Sequence, residues 1–140
     1  LLEEFFFFFS TFGAACLYQK TVLLDTLGTL SAEQASKRLQ YSSSIAAHCE
    51  HLRFYNDLLM GDLQGKHVGK IDWAQTWLKQ TVNENEWQIL KSTLKNQYQE
   101  LIKLLESFET WDEDRVGNAM AILAHTAYHL GAIRQLLRFV

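Results

Sequence analysis

The sequence contains no proline and only seven glycines in 140 residues. Nothing forbids long uninterrupted helices, whereas an all-β or α/β chain normally carries more turn punctuation. Cysteine is scarce as well. Cys16 and Cys49 lie far apart without CxxC spacing, which argues against a disulfide framework and fits a reduced, cytoplasmic chain whose thiols are small buried apolar groups. Charge of one sign is missing too: 13 basic residues are scattered among 16 acidic ones for a formal net charge of -3. No cationic stripe exists to neutralise a phosphate backbone, so nucleic acid is not an expected partner. The densest apolar run, Phe5 to Leu17, is too short to span a bilayer, and Glu3 and Glu4 stand before it where a secretory leader has basic residues. No transmembrane segment is expected.

What is present is apolar helix-forming sequence. The hydrophobic share of 48% can build a core without staples, and one domain over residues 1–140 is the natural unit. The expected fold is all-α, a four-helix bundle with short extra helices in its connections. A first helix covers roughly Leu2 to Leu27 and stops near Gly28. Its five consecutive phenylalanines, Phe5 to Phe9, point all around the helix axis, so one core cannot bury them all. Phe5, Phe8 and Phe9 are therefore expected to face a second copy of the chain. Ser31 and Gln34 have capping-box spacing for a short helix through Arg38. A long helix follows from about Ser44 to Met60. Gly61 to Lys70 reads as a loop, and Asp72 caps a short helix through Gln80. Asn83 and Glu86 open another long helix to about Phe108, and the last starts near Asp112 or Asp114 and runs to the C-terminus.

The histidines carry the chemistry. Winding the last helix at roughly 100° per residue places Asn118, Ala121, Ile122, His125, His129, Ala132, Ile133 and Leu136 on one stripe. His125 and His129, four residues apart, are stacked neighbours able to aim at one ion. The spacing alone is weak evidence, but two neutral imidazoles on a core face need hydrogen-bond partners, and a shared cation satisfies both. On the Ser44 to Met60 helix, His48 and His51 both fall on the inward half of the wheel, opposite Glu50, Arg53 and Asp57. Either can complete a three-histidine site whose remaining positions are open to water or substrate.

The segments SIAAHCEHL, Ser44 to Leu52, and AHTAYHLGAIRQLLR, Ala124 to Arg138, resemble the corresponding helices of the DinB/YfiT-like superfamily of four-helix metal proteins. The resemblance covers nearly the whole chain. It implies a Zn²⁺ or Ni²⁺ site held by His51, His125 and His129, with His48 as the alternate for His51, in a bundle that often dimerises. In some characterised relatives it implies metal-dependent transfer of low-molecular-weight thiols, or hydrolysis, so a small thiol or an anionic small molecule is the expected ligand. The alternative is a non-catalytic helical dimer or scaffold with a structural or vestigial metal. One position departs from the family's frequent HxGQI run: here it is His129-Leu130-Gly131-Ala132-Ile133, and the role of that glutamine does not carry over.

Other candidates read as structure. Glu50 and Asp57 are surface charge; Tyr55, Tyr128 and Asn118 can reach toward the site but read better as core or rim packing; Gly131 is a close-packing position, and His67 an exposed loop residue. Cys49 is about a quarter-turn from His48 and is no natural ligand. Trp73, Trp77, Trp87 and Trp111 mark packing surfaces or loop anchors.

Overall fold

A computed structural model describes residues 23–66 and 69–140, and every regular element among them is helical. Residues 23–28 are helical; α1 is Ala32–Ser36, α2 Ile45–Leu63, α3 Glu84–Glu106 and α4 Glu113–Leu136, with 3-10 turns at Gln75–Trp77 and Leu137–Phe139. Phe5, Phe8 and Phe9, Cys16 and His67 lie outside the described residues. Among the described residues, no helix is long and apolar enough to cross a membrane.

Each of α1 to α4 starts where a side chain caps it. Ser31 and Asn83 accept from the backbone N–H of Gln34 and Glu86, whose side chains accept in return from the two cap N–H groups. Ser44 caps α2 and Asp112 caps α4. The Ser44 hydroxyl also donates to the Gln80 carbonyl at 2.6 Å, and its N–H donates to Gln80 Oε1 at 2.9 Å. The entrance of α2 is thereby clamped to the chain that runs toward α3. The expected helix from Asp72 through Gln80 is shorter than its pattern suggested. Asp72 accepts from the Ala74 N–H at 3.0 Å, but only the turn at Gln75–Trp77 forms, because Gln80 is used to hold Ser44.

Helix direction follows from which residues share a core. Ile45 and Leu52 of α2, Trp87, Leu90 and Leu94 of α3, and Leu130 and Ile133 of α4 form one apolar cluster with Leu23 and Leu27. Leu59, Met60 and Leu63, Leu101, and Ile122 form the other. Hence α2 and α3 run the same way and α4 runs against both. Residues 64–83 must accordingly travel back along α2, a helix about 28 Å long at 1.5 Å per residue. That return path carries Thr76 and Trp77 across the α2/α4 contact, the most extensive between helices. The turn after α3 needs only residues 107–112.

Cys49 is fully buried within the first cluster. Trp87 is fully buried beside it, and its indole N–H donates to the Leu30 carbonyl at 2.7 Å. Gly131 corrects an expectation: it is exposed, and an added Cβ would meet nothing within 4 Å. It is not a close-packing position, because α4 turns that side to solvent.

Candidate metal centre

Four histidines meet where α2 and α4 face each other. His48 and His51 are one turn apart on α2, His125 and His129 one turn apart on α4. One ring nitrogen from each of His51, His125 and His129 lies within 4.8 Å of the other two. Nε2 of His125 is 3.2 Å from Nε2 of His51 and 3.1 Å from Nε2 of His129. His48 does not join this set. Its Nδ1 lies 2.9 Å from Nδ1 of His129, on the far edge of that ring.

The hydrogens on the surrounding side chains do not satisfy every nitrogen of the centre. The Thr76 hydroxyl donates its single hydrogen to the Trp73 carbonyl at 2.7 Å. It can therefore only accept from His51 Nδ1, 2.6 Å away. This assigns the hydrogen of neutral His51 to Nδ1 and leaves its Nε2 a bare lone pair pointed at His125. Protein hydrogens then cannot serve all three Nε2 atoms. Either one hydrogen on His125 is split between two acceptors, or two lone pairs face each other at 3.2 Å. Nδ1 of His125 is buried with no hydrogen-bond partner among the described residues, which costs stability in a protein interior.

A divalent cation resolves this conflict by accepting all three lone pairs. Tetrahedral ligation at about 2.0–2.1 Å per nitrogen sets zinc's ligand nitrogens roughly 3.3 Å apart, close to the two separations measured from His125. The donors are also in the protonation state a metal requires. Burial, reinforced by the neighbouring imidazoles, lowers His129 to about 3. Burial and the charge of His51 lower His125 to about 4. Burial alone lowers His51, and burial with His51 lowers His48. Protons do not compete for these nitrogens at neutral pH. Three histidines can thus hold a metal ion.

The walls are aromatic. Trp77 stacks on His51 with centroids 4.2 Å apart and an interplanar angle of 19°, and Tyr55 stacks on His125 at 3.7 Å and 28°. Tyr128 is exposed, with its ring edge-on to His129 at 5.0 Å. Trp73 lies 6.2 Å from His51 and 6.0 Å from Tyr55. Thr76 and Trp77 are the site residues that sequence reasoning missed as such. Neither lies on a periodic helix, and only the length of the return path between α2 and α3 signals that something must cross the site.

The remaining candidates are elsewhere. Glu50 and Asp57 are both engaged by Arg53, at 2.7 and 3.0 Å. Burial pushes the Cys49 thiol far above its ordinary value, so it offers no thiolate. Asn118 is half-buried on α4, two turns before His125. Comparison with protein-family models, curated proteins and solved structures finds no match to this chain.

Proposed function

We propose that this chain is a divalent-metal-binding protein of the DinB/YfiT-like type, a four-helix bundle whose ion is held by His51, His125 and His129. The observation that supports it is the convergence of three Nε2 atoms with too few hydrogens between them. Zinc or nickel suits an all-imidazole donor set. When bound, such an ion lowers the pKa of a water or thiol that reaches it and polarises a substrate oxygen. The chain's own residues then have defined parts. Thr76 fixes the tautomer of His51, the rings of Tyr55 and Trp77 keep water from the flanks of His125 and His51, and a small thiol or anion is drawn by the ion's charge. Transfer of a thiol, or hydrolysis, is the reaction class proposed, with the cytoplasm as compartment and a homodimer through Phe5, Phe8 and Phe9 as assembly.

A non-catalytic scaffold is the second reading. It is favoured by the make-up of the walls: among the described residues, the hydrogen-bond partners of the three rings are one another, Thr76 and His48, with no carboxylate among them to serve as a base.

Elemental analysis of untagged protein tests the proposal. About one divalent ion per chain is expected in the wild type and a small fraction of that in His129→Ala. Equal metal in both defeats it. Thiol-transfer and ester-hydrolysis assays of the loaded protein then separate enzyme from scaffold.

A further inference from the structure

We propose that His48 is the positioning residue for the ligand His129: its Nδ1 accepts the hydrogen of His129 Nδ1–H, leaving Nε2 of His129 bare and directed at the ion. This rests on the metal reading above and adds a residue to it.

The two Nδ1 atoms are 2.9 Å apart, so one hydrogen lies between them. Only two assignments exist. If His48 donates, the hydrogen of neutral His129 must sit on Nε2, where it points into the cluster toward Nε2 of His125, 3.1 Å away, and blocks ligation. If His129 donates, its Nε2 lone pair is free. A cation on Nε2 therefore requires the second assignment, and the second assignment requires an acceptor beyond Nδ1. His129 is wholly buried, so water does not supply that acceptor. His48 does, as oriented partners of metal-ligating histidines commonly do.

The ring of His48 is itself fixed. It precedes His51 by three residues on α2, so the two project from one side of the helix. Trp77 meets it edge-on at 5.1 Å and 89°, and the His129 ring crosses it at 5.1 Å and 65°. Unlike His129, it borders a surface cavity of about 520 Å³ shared with Ser42, Tyr128 and Gln135. Its committed Nδ1 also explains why His48, although inward-facing, is not among the three converging donors.

The test uses Zn²⁺ in competition with a chromogenic chelator, on the untagged full chain and its His48→Phe and His48→Asn variants. Phenylalanine keeps the ring without an acceptor, whereas asparagine returns an oxygen near the place of Nδ1. Zinc binding is expected to weaken by about 10- to 100-fold in H48F, with stoichiometry kept, and to stay close to wild type in H48N. Wild-type affinity in H48F overturns the proposal. So does an equal loss in both variants, which would mean that packing and not the acceptor matters. Long-range ¹H–¹⁵N spectra of the zinc-free wild type give a readout that needs neither variant folding nor metal. The His129 hydrogen is expected on Nδ1, and finding it on Nε2 overturns the assignment. A wild type that binds no zinc defeats the metal reading instead, while the spectra still decide the tautomer.

Discussion

Thr76 Oγ1 lies 2.6 Å from His51 Nδ1 while giving its own hydrogen to the Trp73 carbonyl. One hydroxyl on a loop thus sets which nitrogen of a helix residue is free. Thr76→Val preserves the shape and removes the acceptor. The buried His51 N–H is then stranded, at a cost of about 1–3 kcal/mol, and metal affinity falls by about 10- to 100-fold. Thr76→Ser restores both. Urea denaturation and chelator competition check the pair of effects; a valine variant that matches wild type in both assays removes Thr76 from the site.

Acid should destabilise the metal-free protein from an unusually high pH. His129 is lowered to about 3 and His125 to about 4, chiefly by burial, against about 6.5 in the unfolded chain. Below that value the unfolded chain takes up protons that the folded chain refuses. The stability contribution is complete above about pH 6.5, is lost as pH falls toward 4 and then 3, and levels off beneath. For the fully buried His129 the slope approaches about 1.4 kcal/mol per pH unit. Urea midpoints at pH 7.5, 6 and 5 should fall in wild type and flatten in His125→Gln/His129→Gln. Identical slopes in both proteins contradict the assignment of the titration to this pair.

Much of this arrangement is legible in the sequence because helices announce themselves locally. Ser44, Asn83 and Asp112 cap their helices, and Trp87, Leu90, Leu94 and Leu101 bury one stripe of α3 at helical spacing. The wheel turns His125 and His129 inward by the same logic. It cannot separate His48 from His51, because residues three apart on a helix share a face. That choice depends on where α4 sits, and the structure sends His51 Nε2 to His125 and His48 Nδ1 to the back of His129. Thr76 and Trp77 were illegible for a different reason. Their places are set by the parallel course of α2 and α3, a tertiary relation with no local signature.

The phenylalanine run bears on assembly. Wound as the helix expected from the sequence, five successive phenylalanines would surround its axis, and one core accepts only part of that circle. On the homodimer proposed above, the residues left over would offer an apolar patch for a second copy to cover. Phe8→Ser and Phe9→Ser should each shift the sedimentation coefficient from dimer toward monomer without loss of helical circular dichroism. An unchanged mass in both variants removes this segment as the interface.

On the metal reading proposed above, an ion shared by His51 on α2 and His125 and His129 on α4 would tie two antiparallel helices together and so bind the folded chain and not the unfolded one. Stability then rises with free metal, by about 2.7 kcal/mol at a hundred times the dissociation constant. The melting temperature should climb on adding Zn²⁺ and return on chelation. Two variants divide ligand from wall. His51→Ala removes a donor and should abolish the rise. Trp77→Leu strips the ring stacked 4.2 Å from His51 but takes no donor away, so it should lower the melting temperature with and without zinc while keeping the rise. Were Trp77→Leu to lose the zinc response and His51→Ala to keep it, the ion would be held by something other than these three imidazoles.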